Sequence, residues 1–136
     1  MIDNTREIPD FVETKFSSIS RAGLGIFAKK KISKGQFLGN YVGELIKKDN
    51  MKEWNPYYFS TIIDNGEYII NSESLEKSNW TRFINCSDSK HEQNSIPIRC
   101  NNTEIYSKSS HQHLCMNGYI MFYDLTDISE GSELFF

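Results

Sequence analysis

Ser78-Asn79-Trp80-Thr81-Arg82-Phe83-Ile84-Asn85-Cys86-Ser87 gathers an indole, a guanidinium, two carboxamides and a thiol into one short run. Residues 74–85 are expected to hold one or two short helical turns. Upstream, residues 57–63 and 68–71 read as two strands joined at Asp64-Asn65-Gly66, a strong hairpin signal because Asn-Gly tolerates positive φ at both central positions. Downstream, residues 87–94 are polar and loop-like, and residues 101–117 form a longer polar insertion with little to bury. Residues 118–123 and 133–136 read as the last strands, and residues 11–16, 25–28 and 37–46 as the first. Gly39 and Gly43 interrupt the third of these early segments and suggest bulges. Some helical character in residues 47–54 ends before Pro56. Two stretches echo each other, Ile32-Ser33-Lys34-Gly35 and Ile128-Ser129-Glu130-Gly131, each setting a turn glycine before an apolar segment. The expectation is one mostly β domain with minor helix over residues 1–136, with its core in 11–136.

Composition narrows the function. The 15 Lys and Arg against 18 Asp and Glu give a formal charge of −3, which argues against wrapping nucleic acid through bulk charge. The longest apolar run, Tyr119-Ile120-Met121-Phe122-Tyr123, is far short of the roughly 20 residues a membrane-spanning helix needs. Residues 1–13 are rich in charge and unlike a secretory signal, so a soluble, intracellular location is expected, without direct nucleic-acid or membrane binding. Cys86, Cys100 and Cys115 are too few and too widely spaced for a disulfide framework, and reduced thiols are the simplest reading.

Five ordered blocks carry a family resemblance. Arg21-Ala22-Gly23-Leu24-Gly25-Ile26-Phe27-Ala28 comes first, then Tyr41-Val42-Gly43-Glu44-Leu45-Ile46, then Tyr68-Ile69-Ile70-Asn71. The run 78–87 follows, and Glu130-Gly131-Ser132-Glu133-Leu134-Phe135-Phe136 closes the series. This succession resembles the SET-domain protein-lysine methyltransferases. The resemblance implies small curved β-sheets and a knot-like carboxy-terminal crossing, in which the closing strand threads near Arg82-Phe83-Ile84-Asn85. It implies methyl transfer from S-adenosyl-L-methionine to a lysine of an extended protein or peptide segment such as a histone tail. The alternative on the same fold is a non-catalytic module that binds peptide, cofactor or a partner protein.

Residue by residue, the resemblance puts Ala22 and Leu24 on the cofactor-facing backbone, where Gly23 and Gly25 let the chain come close. Asn85 resembles the asparagine that binds the methionine end of the cofactor. Arg82 stands at the family's arginine, with a salt bridge to a neighbouring carboxylate as its structural alternative. Cys86 replaces the family's usual histidine beside the adenine. Tyr41 matches a tyrosine lining the lysine channel, Tyr57 falls at a channel and cofactor-adjacent aromatic, and Phe136 matches the position that tunes how many methyl groups the channel admits. The core of a strand is the competing role for these rings.

The family continues beyond the position of Phe136 with an acidic residue or asparagine and then its principal catalytic tyrosine. Slow or absent methylation by residues 1–136 alone is therefore expected, with a homodimer, a partner or an extension completing the site. His111, His113 and Cys115 alternate in a way a metal site could use, but three ligands crowded into a polar insertion read more simply as a solvated loop or edge strand, and no metal is expected. Lys29-Lys30-Lys31 reads as a solvated strand end.

Overall fold

The computed structural model describes residues 8–19, 22–87, 93–100, 104–108, 111–115 and 118–136. Among the described residues, ten strands form four small sheets. Strands β1 (Val12–Phe16) and β2 (Leu24–Ala28) make an antiparallel pair. Strands β3 (Phe37–Asn40), β10 (Ile120–Asp124) and β7 (Ser95–Arg99) make a three-stranded sheet with β10 in the middle. Strands β4 (Glu44–Lys47), β6 (Gly66–Asn71) and β5 (Tyr58–Ile63) make another, with β6 central, and β8 (Glu104–Lys108) pairs with β9 (His111–Cys115). The only helical turns among the described residues are short 3₁₀ pieces, Lys48–Asn50 and Trp80–Phe83.

The second of these turns is built locally. Asn79 stands at its N-cap and accepts a hydrogen bond from the Thr81 backbone N–H at 3.1 Å, satisfying one of the donors that a helix start leaves unpaired. The same side chain donates to the Asn40 carbonyl at 2.9 Å, which ties the turn to the end of β3. Residues 47–54 hold one 3₁₀ turn rather than a helix: Lys47 belongs to β4, and no residue of the turn is buried to hold it longer.

The β5–β6 hairpin forms as expected, but its turn is shifted by one residue. Ile63 pairs with Gly66, so Asp64 and Asn65 are the two loop residues, with φ of 48° and 67°. Short polar side chains tolerate this left-handed region, which leaves Gly66 to begin β6. The echoed segments meet in space: Ile32 and Ile128 exchange backbone hydrogen bonds of 2.9 and 2.8 Å, and both side chains are buried. Gly35 and Gly131 take φ of +83° and +87°, the conformation that makes glycine necessary in both copies. The bulge expected at Gly39 is present as a register shift opposite Phe122 and Tyr123. Gly43 lies between β3 and β4, where a Cβ would strike the Asn71 carbonyl, so close approach is its reason.

Three features depart from the sequence reading. Residues 95–99 form a strand although Pro97 lacks a donor, which an edge position such as β7 accommodates. The polar insertion 101–117 carries the β8–β9 hairpin, with a backbone register running from Glu104 opposite Cys115 to Lys108 opposite His111. The side chains of His111, His113 and Cys115, on which the metal alternative rested, lie outside the described residues. Cys100 is buried and disulfide-bonded, whereas Cys86 is free and exposed. Reduced thiols throughout is therefore corrected at Cys100, because spacing along the chain does not report which residues the fold brings together.

The larger of two apolar clusters draws on three of the sheets, and a smaller one is built on Cys100 and Met121. Val12, Ile26, Ile32, Leu38, Tyr41, Trp80, Ile84, Phe122 and Leu134 are among the buried members of the larger cluster, and Phe11, Phe59, Phe83 and Phe136 pack against it. No helix among the described residues is long and apolar enough to cross a membrane.

Candidate functional site

The closing segment 133–136 organises the site. On one side it meets β2: Glu133 bridges Phe27, and the Leu134 N–H donates to the Ile26 carbonyl at 2.8 Å. On the other it lies parallel to Asn85, with the Phe136 N–H donating to the Asn85 carbonyl at 3.0 Å and the Ser87 N–H donating to Phe136 at 2.6 Å. Asn94 holds it as well, donating from Nδ2 to the Glu133 carbonyl at 2.9 Å and accepting from the Phe135 N–H at 2.9 Å. The segment thus threads between β2 on one side and Asn85, Ser87, Asn94 and Ser95 on the other.

This threading brings Asn85 to the edge of β2. Its Nδ2 donates to the Leu24 carbonyl at 3.1 Å and to Glu133 Oε2 at 3.3 Å. Ala22 and Leu24 flank Gly23, whose φ of +76° and open surroundings leave this backbone uncovered. Gly25 has a structural role within the chain itself. A Cβ there would collide with the Glu133 carboxylate and come within 3.2 Å of Asn85 Nδ2, so its missing side chain makes room for the protein's own groups. Cys86 follows Asn85 with an exposed thiol.

Glu133 is the residue that sequence reasoning passed over. It is buried, and each carboxylate oxygen accepts two hydrogen bonds: Oε1 from the Ser18 N–H at 2.9 Å and Ser18 Oγ at 2.8 Å, Oε2 from Ser17 Oγ at 2.6 Å and Asn85 Nδ2. No cation pairs with it among the described residues. A charged residue beside Leu134 and Phe135, in a segment that must be buried, was the available signal, since such a group requires built-in donors.

A second group of candidates forms an aromatic cluster next to the first. Tyr41 is buried, with its ring edge-on to Phe59 at 4.6 Å and 6.2 Å from Phe122. Phe136 lies 5.4 Å from Phe59 and 5.6 Å from Phe122, so Tyr41 and Phe136 share one aromatic wall. The Tyr41 hydroxyl donates to the Tyr57 carbonyl at 2.8 Å. Burial is the main cause that pushes its pKa up to about 12, against lowering by Ser72 and the Arg82 charge, so it remains a neutral phenol at physiological pH.

Arg82 makes no ion pair among the described residues. Its Nε donates to the Ser72 carbonyl at 2.8 Å and Nη2 to the Glu73 carbonyl at 3.1 Å, and the guanidinium stacks 4.1 Å over the Tyr57 ring and 4.9 Å over Phe83. The salt-bridge alternative is replaced by carbonyl clamping and cation–π stacking, which suit a planar fork. A cleft of about 280 Å³ lies beside this region, lined by Thr14, Leu75, Ser78, Trp80, Arg82 and Phe83 among others. Of the candidate residues only Arg82 borders it, so it is distinct from the Gly23–Asn85 edge. No group of three His, Cys, Asp or Glu side chains that could hold a metal ion is found among the described residues.

Small sheets, a threaded closing segment and an asparagine delivered to a glycine-bearing strand edge define a SET-type domain. Comparison with known proteins narrows the class. The family described as PR domain zinc finger protein 2, PR domain, matches residues 12–136, and the chain belongs to this PR-domain family. Human PR domain zinc finger protein 2 is 32% identical over 105 residues, covering 74% of this chain and 6% of that protein. Histone-lysine N-methyltransferase set-17 of Caenorhabditis elegans is 28% identical over 101 residues, covering 73% of this chain and 36% of that protein. The chain therefore spans a small part of these curated relatives. The solved methyltransferase domain of human PR domain-containing protein 2 superposes with a TM-score of 0.75 at 29% identity, covering 96% of this chain and 78% of that one.

Proposed function

We propose that this chain binds S-adenosyl-L-methionine and acts as a protein-lysine N-methyltransferase on an extended peptide segment such as a histone tail. The observation that carries this reading is the placement of Asn85 beside the open backbone at Gly23, joined through Phe136 to the aromatic wall of Tyr41 and Phe136. Relatives named histone-lysine N-methyltransferase support the reaction class, the substrate and a chromatin setting.

The residues present fit such a cofactor on one structural ground. Asn85 Oδ1 has no hydrogen-bond donor among the described residues, while both Nδ2 hydrogens are used, so an acceptor stands ready beside the Gly23 turn. Bound there, the cofactor would supply an activated methyl group on a sulfonium. Ala22, Leu24, Asn85 and Cys86 would hold it, and Arg82 would fix Tyr57 beside it. On the substrate side, the apolar wall of Tyr41 and Phe136 strips water from an entering lysine, and desolvation favours the neutral amine needed for attack. Alignment of the two reactants is the main contribution such a site makes.

Asn85→Ala is expected to weaken S-adenosylhomocysteine binding by about 1–3 kcal/mol, the scale of a buried polar contact. Calorimetry on the folded variant checks this, and unchanged affinity would contradict the placement. Methyl transfer to histone peptides, read by mass spectrometry, tests the reaction. Cofactor binding without transfer would favour the non-catalytic module.

A further inference from the structure

We propose that Glu133 is a positioning residue that sets the flip of the Asn85 amide, so that its carbonyl oxygen rather than its NH₂ faces the ligand and selects for an ammonium group. The inference rests on the cofactor reading above and deepens it.

An asparagine side chain is nearly symmetric in shape, and its orientation follows from its partners. Asn85 has two on the protein side, the Leu24 carbonyl and Glu133 Oε2. A carbonyl oxygen and an ionised carboxylate can only accept, so both require the NH₂ end. Reversing the amide would set its oxygen against two oxygens, in a partly buried setting where an unmade hydrogen bond is expensive. The carboxylate is itself held in place. Ser17 Oγ, Ser18 Oγ and the Ser18 N–H fix it from the loop between β1 and β2, and Gly25 clears the volume it occupies.

The consequence is a choice of ligand chemistry. With both Nδ2 hydrogens committed, Asn85 has only Oδ1 left to offer, which recognises a donor such as the ammonium of an amino acid moiety and not its carboxylate. The buried negative charge of Glu133, neutralised by no cation among the described residues, adds attraction for that positive group.

Two measurements test this, and the first needs no ligand. In a nuclear Overhauser spectrum of the unaltered chain, the Asn85 side-chain amide protons should show cross-peaks to the Gly25 α-protons, since a Cβ at Gly25 would stand 3.2 Å from Nδ2. Assigned amide protons that lack these peaks and exchange rapidly with water would overturn the proposal. The second compares S-adenosylhomocysteine with its deaminated counterpart, which keeps the carboxylate and adenosine but has no amine. Glu133→Gln should reduce the preference for the amine-bearing compound by about tenfold while leaving affinity for the deaminated one nearly unchanged, in line with loss of a hydrogen bond to a charged group. Equal losses for both compounds, or an unchanged preference, would overturn it. Failure of the unaltered chain to bind either compound would instead count against the cofactor reading, with the amide orientation still decided by the cross-peaks.

Discussion

Phe122→Ala is expected to destabilise the domain by about 3–5 kcal/mol, the range for deleting a fully enclosed aromatic ring. Phe122 is 0% exposed and lies on β10, the middle strand of its sheet. Its ring contacts Tyr41, Phe59 and Phe136 at centroid distances of 6.2, 6.0 and 5.6 Å, the range in which edge-on aromatic pairs attract. Removing it leaves a cavity between the sheet and the proposed lysine-binding wall, so loss of stability and loss of channel shape should come together. Chemical unfolding measures the first. A cost under about 1 kcal/mol would mean that neighbouring rings collapse into the space and that the wall is not rigid.

Stability is also expected to fall as pH rises from about 4 to 8, through Asp124. This residue is 4% exposed, and neither carboxyl oxygen has a hydrogen-bond partner among the described residues. Burial, reinforced by the charge of Asp127, pushes its pKa up from the ordinary 3.8 to about 8. Between those values the unfolded chain has released the proton and the folded chain retains it. The folded state then binds up to one more proton, so raising the pH favours unfolding, by at most about 1.4 kcal/mol per pH unit. Below the unfolded pKa the penalty is absent, and above the folded one it is fully developed. Urea unfolding from pH 5 to pH 8 should show this slope in the unaltered chain and a much flatter one in Asp124→Asn, whatever the variant's absolute stability. Parallel profiles would contradict the assignment.

The chain disclosed its local structure unevenly. Turns that depend on backbone chemistry were visible: Asp64-Asn65-Gly66 marked the hairpin, and the echoed glycines at 35 and 131 marked two turns that pair in space. The hairpin register was not visible, because Asn65-Gly66 and Asp64-Asn65 both suit a tight turn, and the pairing of Ile63 with Gly66 decides between them. Strand β7 was hidden by Pro97, whose tolerance depends on an edge position that only the sheet order reveals. Within the site, Asn85 stood out through its motif, and Tyr41, Tyr57 and Phe136 through the family's order. Glu133 did not, since its role comes from Ser17 and Ser18, more than a hundred residues away in sequence. Arg82 showed the same limit: a guanidinium invites a carboxylate, yet here the fold supplies carbonyls and two rings.

The most direct test of the cofactor reading is a nitrogen–proton correlation spectrum of the chain titrated with S-adenosylhomocysteine. Saturable shifts are expected, concentrated at the backbone amides of Ala22, Gly23, Leu24, Asn85 and Cys86. Absence of shifts at saturating ligand, or shifts centred instead on the cleft around Thr14, Ser78 and Trp80, would contradict it.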